Sequence, residues 1–350
     1  MSQSVIPVID ISNPSPEVAQ EVLDAASTHG FLFIKNDGLT IPPKDIDEMF
    51  KLSKDFFASP LEHKQEFAIH SEKAGGINRG WVSMQGESLD PEGQKQGDPK
   101  QAFNISPPTP SSPLQPLPTP LSTNSALITR FQTSCQTLCT SILSLLNTAL
   151  RIPDPNYFAD RHDQSRGPSG TIFRMLYYPA TESNGANGEE SVSVRAGAHS
   201  DYGSITLLFR LPGQAGLELL TQDNTWIPVP VDPSNPSNNT SSTITTSSTP
   251  PILVNIGDLL CFWTAGLLRS TIHRVTFSGG QERYSMAYFC HPVDDARLEA
   301  VDSEVIREFG DKGRDVMEGQ RKRLGLGEDE GVVITAKEHL ERRLRVTYGI

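Results

Sequence analysis

Apolar positions along the first third of the chain alternate between short compact runs and helical spacing. Ile6–Ile11 reads as a strand, and Ser15 is placed to cap a helix over Pro16–Thr28 that Gly30 ends. Phe31–Lys35 (FLFIK) reads as a buried strand, closed by turn residues Asn36, Asp37 and Gly38. Helical spacing returns over Lys44–Ala58 and Pro60–Phe67, with Pro60 suited to a first helical turn. From His70 to Ser106 the sequence is polar and glycine-rich and reads as loop. Pro107–Pro120 holds seven prolines in fourteen residues, which excludes helix and central strand. Asn124–Leu150 is one long helical pattern, its stripe formed by Leu127, Phe131, Leu138, Ile142, Leu145, Leu146 and Leu150.

The second half changes period. Thr171–Tyr178, Ser204–Phe209, Leu217–Leu220, Trp226–Val231, Ile252–Asn255, Leu259–Phe262, His273–Phe277 and Tyr284–Phe289 are short, rich in branched and aromatic residues, and separated by Gly, Pro, Asn and Asp. Such a series predicts a β sandwich or barrel. Asp232–Pro250 interrupts it: 14 of its 19 residues are Ser, Thr or Asn, so it reads as an inserted hairpin that adds little core. The tail returns to helix over Asp294–Phe309, Arg314–Arg323 and Thr335–Tyr348. The predicted organisation is an N-terminal helix and strand region (1–120), a supporting helix (121–168), a β core (169–293) with the insertion at 232–250, and C-terminal helices (294–350).

Composition narrows the class of partner. The 350 residues carry a net charge of -12, which disfavours nucleic acid and anionic membranes, both of which require a positive patch. No run reaches the ~18 apolar residues of a membrane span, and the N-terminus has no secretory pattern. The four cysteines follow no zinc spacing, and Cys135 and Cys139 lie one helical turn apart in an apolar run, as core residues do. A cytoplasmic, monomeric protein with reduced thiols and a small-molecule substrate is the expectation.

The candidate chemistry lies among the strands. In His199-Ser200-Asp201, residues two apart on an extended chain point the same way, so an imidazole and a carboxylate can meet one metal ion. His273 opens a strand and can bring a second imidazole. Two histidines and a carboxylate form the facial triad of non-haem Fe(II) oxygenases, which leaves positions open for a 2-oxo acid and O2. A 2-oxo acid with a far carboxylate needs a cation. Arg283 lies ten residues after His273, and Ser285 shares its side of a strand. One hairpin is expected to deliver both the metal ligand and this anchor. The same His-x-acid triplet occurs at His70-Ser71-Glu72, in a polar loop, and at His339-Leu340-Glu341, in a helical pattern where residues two apart diverge. Taken singly, His199, His273 and Arg283 are ordinary polar or ion-pairing residues; their order and setting favour a site. His291 is read as a capping or surface residue, Phe262 and Trp263 as core. Tyr202 and Arg174 are open between packing and the site.

With these motifs in order, the chain resembles the isopenicillin N synthase-like family of 2-oxoglutarate/Fe(II)-dependent dioxygenases. The likeness is carried by IPVIDIS, HGFLFIKNDG and FFASPLEHKQEF near the N-terminus, and by GAHSDYGSITLLF, NIGDLLCFWTAGLLRSTIHRV and RYSMAYF in the core. The resemblance implies a distorted double-stranded β-helix, or jelly roll, mainly β with flanking helices. It implies Fe(II) on His199, Asp201 and His273, and 2-oxoglutarate on Arg283 and Ser285. It adds Tyr178, from an Asn-x-Tyr element in which Leu176 replaces the asparagine. The implied reaction uses 2-oxoglutarate and O2 to hydroxylate, desaturate or cyclise a small organic molecule, with pocket residues drawn from Gly75–Phe103 and the C-terminal helices. Alternatives are an oxidase of the same family that uses no 2-oxoglutarate, a non-catalytic binding module on the same fold, and a cupin-type zinc or manganese enzyme.

Overall fold

The computed structural model describes residues 6–108, 114–180, 193–234, 250–277, 280–326 and 332–349. Their strands are β1 (Val8–Ile9), β2 (Phe31–Ile34), β3 (Gly80–Val82), β4 (Gln101–Ile105), β5 (Ile172–Tyr178), β6 (Ser193–His199), β7 (Ile205–Arg210), β8 (Leu217–Leu220), β9 (Trp226–Pro228), β10 (Ile252–Ile256), β11 (His273–Phe277) and β12 (Arg283–Cys290). The helices are α1 (Pro16–Thr28), α2 (Pro43–Phe57), α3 (Leu61–Gln65), α4 (Ser125–Ala149), α5 (Tyr157–Arg161), α6 (Asp258–Trp263), α7 (Glu304–Phe309), α8 (Arg314–Arg323) and α9 (Ala336–Tyr348).

Alternation along the strands divides the interior into two cores. One sheet runs β1-β2-β10-β7-β12-β5-β4-β3, and a smaller one runs β6-β11-β8-β9. On the large sheet Phe173, Met175, Leu207, Phe209, Met286 and Tyr288 face the helices. Their neighbours Leu176, Tyr178 and Ala287 face the small sheet, where they meet Ala196, Leu217, Leu219 and Val275. The large sheet is thus buried on both faces. Phe131 of α4 seats the helical layer on it, 5.3 Å from Phe173 and 5.1 Å from Phe209. The result is the mainly β jelly roll with flanking helices.

Local signals hold where they are strong. Ser15 accepts from Val18 N–H to start α1, and Gly30, at φ 69°, follows its last turn. Thr335 and Glu338 form a capping box on α9. The expected strand at Leu259–Phe262 is instead part of α6. All six residues of that helix are buried, so no polar face betrays its period. The expected loop at 70–106 contains β3 and β4, whose order comes from a distant partner: β4 pairs with β5. In the stretch expected as helix from Asp294, helix begins only at Glu304, where Ser303 caps it. Most of the 232–250 insertion, at 235–249, lies outside the described residues.

Buried histidines give the fold an acid limit. His162 is 1 % exposed; its Nδ1 lies 2.7 Å from the Phe158 carbonyl and its Nε2 2.8 Å from Ser204 Oγ. Burial pushes its pKa from 6.5 down to about 4. As pH falls, the unfolded chain therefore takes up this proton first, and stability is lost between about pH 6.5 and 4. The wild type is expected to lose about 3 kcal/mol more than His162→Gln across that window. Denaturant unfolding at a series of pH values checks it; equal pH slopes would contradict it.

Candidate active site

The chain crosses between sheets to assemble the site. His199 ends β6 and His273 begins β11, and the two are direct partners in the small sheet. Asp201 follows two residues after His199. Its Oδ1 lies 3.7 Å from His199 Nε2 and 3.6 Å from His273 Nε2. One donor atom from each residue lies within 4.8 Å of the others, the arrangement a single metal ion needs. Among the described residues this is the one group of three or more such side chains close enough to share an ion.

The surroundings fix which atoms face inward. His199 Nδ1 lies 2.7 Å from the Gly197 carbonyl and His273 Nδ1 3.1 Å from that of Thr271. These contacts assign the proton to Nδ1 and leave each Nε2 lone pair directed at the gap. Asp201 Oδ2 accepts from Thr206 Oγ1 and Asn255 Nδ2, both at 2.6 Å, so Oδ1 is the oxygen turned to the histidines. Burial, then His273, push the His199 pKa down to about 4, which keeps the ring neutral. Burial alone would raise Asp201, but His273, His199 and its two hydrogen bonds hold it below the usual carboxylate range. Neutral imidazoles, one carboxylate and an outer ring of hydrogen bonds suit a divalent iron ion.

Arg283 reaches the same chamber from the opposite sheet. The hairpin expectation is corrected here: His273 lies in the small sheet and Arg283 starts β12 in the large one. Arg283 is 3 % exposed and has no carboxylate partner among the described residues. It donates to Ser285 Oγ at 3.2 Å and to the carbonyls of Gln214 and Ala215. Tyr178 is its cross-strand neighbour, with the guanidinium carbon 5.0 Å from the ring centroid. A buried cation without an anion is costly, and a ligand carboxylate would relieve it.

The chamber lining also holds Glu87, Lys100 and Tyr348, which the sequence did not mark, around Arg174, which it left open. Glu87, 3 % exposed, meets Lys100 at 2.8 Å, Arg174 at 2.5 Å and the Tyr348 hydroxyl at 2.6 Å. Lys100 also meets Asp98 at 2.5 Å. Arg174 and Lys100 pull the Glu87 carboxyl well below its ordinary range despite burial. Tyr202 joins Thr347 at 2.5 Å, so α9 is tied down over the chamber at two points. Tyr202 and Arg174 therefore both belong to the lining. His291 is neither surface nor cap: it is buried and lines the chamber. The rival triplets stand apart from the triad. His70 stacks edge-on against Tyr348, and His339 is buried 3.4 Å from Asp258. Glu87→Ala is expected to destabilise the fold by about 3–5 kcal/mol, because it strands the buried Arg174 and leaves Lys100 to Asp98 alone. Denaturant unfolding reads this, and a loss under about 1 kcal/mol would contradict the network's importance.

Fold and site define a non-haem iron oxygenase. Residues 169–292 match the 2OG-Fe(II) oxygenase superfamily, and residues 6–124 match the family described as non-haem dioxygenase in morphine synthesis N-terminal. The UPF0676 protein C1494.01 of Schizosaccharomyces pombe is 33% identical over 100% of this chain and 94% of its own length. Proline hydroxylase buaE of Petromyces alliaceus is 30% identical over 81% of this chain and 83% of its own. A full-length Neurospora crassa protein, crystallised in complex with alpha-KG, superposes with a TM-score of 0.72 at 26% identity, covering 98% of this chain and 97% of that one. The chain belongs to the 2OG-Fe(II) oxygenase superfamily, and it is an Fe(II)- and 2-oxoglutarate-dependent oxygenase of small molecules.

Proposed function

We propose that His199, Asp201 and His273 hold the iron, that Arg283 and Ser285 hold the far carboxylate of 2-oxoglutarate beside Tyr178, and that the substrate lodges under α9. The observation that carries this reading is the convergence of three donor atoms in a chamber that also buries an arginine with no carboxylate partner among the described residues. When bound, iron would activate O2, the oxidant, for C–H chemistry, with 2-oxoglutarate supplying two electrons as it becomes succinate and CO2. The protein's part is placement. Gly197 and Thr271 orient the imidazoles, and Thr206 and Asn255 orient the carboxylate. Leu217, Val275 and Ala287 keep water from the guanidinium end, which strengthens its hold on an anion. Phe31 packs edge-on against His273 at 5.5 Å and restricts its ring.

In this reading the chain is an isopenicillin N synthase-like dioxygenase that hydroxylates, desaturates or cyclises its substrate. Residues 169–293 form the catalytic core, 121–168 support it, and regions 1–120 and 294–350 complete the chamber. Four free, buried cysteines support a cytoplasmic location, the net charge of -12 supports the absence of nucleic-acid and membrane partners, and a monomer is the default. No helix of the described residues is long and apolar enough to cross a membrane. The test is stoichiometry: succinate released in step with O2 consumed, dependent on added Fe(II). O2 uptake without succinate would support an oxidase that uses no 2-oxoglutarate.

A further inference from the structure

Strand β12 carries one side-chain row along the whole chamber. Arg283, Ser285, Ala287, Phe289 and His291 alternate onto the same face and all line it. The row spans about 25 Å at roughly 3.3 Å per residue, from the arginine at one end to an imidazole at the other. That imidazole is held with care. Thr171 Oγ1 accepts the His291 N–H at 3.0 Å and donates to its carbonyl at 3.1 Å. Gly170 and Gly203 make room for the ring. A Cβ on Gly170 would lie 3.0 Å from Nδ1, and one on Gly203 would lie 3.0 Å from Nε2.

Among the described residues, neither ring nitrogen of His291 has a hydrogen-bond partner, and neither is sealed from the cavity. Burial, with His339 and His162 nearby, keeps the ring neutral, its pKa pushed down to about 3. It therefore offers one donor and one acceptor. The charged groups around it are already engaged: of the two carboxylates that act on the ring, Asp201 belongs to the triad and Asp258 meets His339 at 3.4 Å, while elsewhere in the lining Lys100 and Arg174 face Glu87 and Asp98. An ionic substrate group would find no free counter-charge there, whereas an uncharged hydroxyl or amide would find the imidazole. Ile172, Leu340 and Leu344 add apolar surface, and Asn78, Asn104, Tyr202 and Thr347 further polar groups, to the lining.

Resting on the proposed iron and 2-oxoglutarate site, we infer that His291 is a specificity-determining residue that hydrogen-bonds an uncharged hydroxyl or amide group of the substrate. The test uses the full chain loaded anaerobically with Fe(II) and 2-oxoglutarate. A panel of uncharged alcohols and lactams, with carboxylate and ammonium counterparts of similar size, is titrated by calorimetry. The ligands found are expected to be uncharged. His291→Phe should weaken the best of them about tenfold or more, and His291→Gln should stay within about threefold of wild type. The 2-oxoglutarate titration midpoint should be the same in all three proteins. Where phenylalanine does not fit, His291→Leu carries the same expectation. Equal affinity in wild type and His291→Phe, binding by charged compounds only, or no binding from the uncharged set would overturn the inference. A wild type that binds no 2-oxoglutarate would instead overturn the site reading beneath it.

Discussion

Replacing Arg283 with leucine is expected to weaken 2-oxoglutarate binding about a hundredfold or more while leaving the ligand-free protein at least as stable as wild type. The two effects have one cause. Arg283 is buried at 3 % exposure, and burial lowers its pKa, with no carboxylate facing it among the described residues. Its hydrogen bonds go to Ser285 and two backbone carbonyls, which satisfy donors but do not neutralise charge. Arg210, its buried neighbour in charge, likewise donates to the carbonyls of Val229 and Pro230, and burial followed by Arg283 pushes its pKa down to about 9. Two buried cations with only dipoles around them among the described residues are tolerable in a protein that works with a dianion bound. Removing one cation should relieve the free protein and cripple the bound one. Thermal unfolding without ligand and equilibrium binding of 2-oxoglutarate measure the halves separately. A variant that binds 2-oxoglutarate normally would rule out Arg283 as the anchor.

Asp201→Ala is expected to lower turnover at least about a thousandfold, since it removes the only anion among the three converging groups. Asn255→Ala should cost less, about ten- to a hundredfold, because it frees Asp201 to turn without removing it. The grading matters more than either number. Asp201 Oδ2 accepts two hydrogen bonds at 2.6 Å, and their purpose in the structure is to aim Oδ1 at the imidazoles. Iron content per chain and steady-state turnover check both variants. Equal losses in the two would mean that Asn255 acts on the fold rather than on the carboxylate's direction.

How much of this was legible in the sequence depended on how local the determinant was. His199 and Asp201 are two residues apart at a strand end, so periodicity alone turns them to one side. His273 was picked out because it opens a strand, but its pairing with His199 across β6 and β11 is encoded by no local pattern. Arg283 was found as a residue, but its route was misread. Ten residues between two strands suggested a hairpin, whereas the chain crosses between sheets, so ligand and anchor approach from opposite walls. Glu87 and Lys100 were illegible for a different reason. A charge in a polar stretch looks like a solvated charge, and these are buried only because β4 docks on β5 and α9 closes over them. His291 did carry a signal: it falls on the same alternation as Arg283, Ser285, Ala287 and Phe289. The helix α6 was missed because a segment buried on every side shows no amphipathic period.

The proposed activity requires one ferrous ion on His199, Asp201 and His273, with 2-oxoglutarate reaching from it to Arg283. Anaerobic titration followed by visible absorption tests this most directly. The expected result is one iron bound per chain and, on adding 2-oxoglutarate, a weak charge-transfer band that is absent from Asp201→Ala and needs far more 2-oxoglutarate in Arg283→Leu. A band of wild-type strength and midpoint in both variants would contradict it.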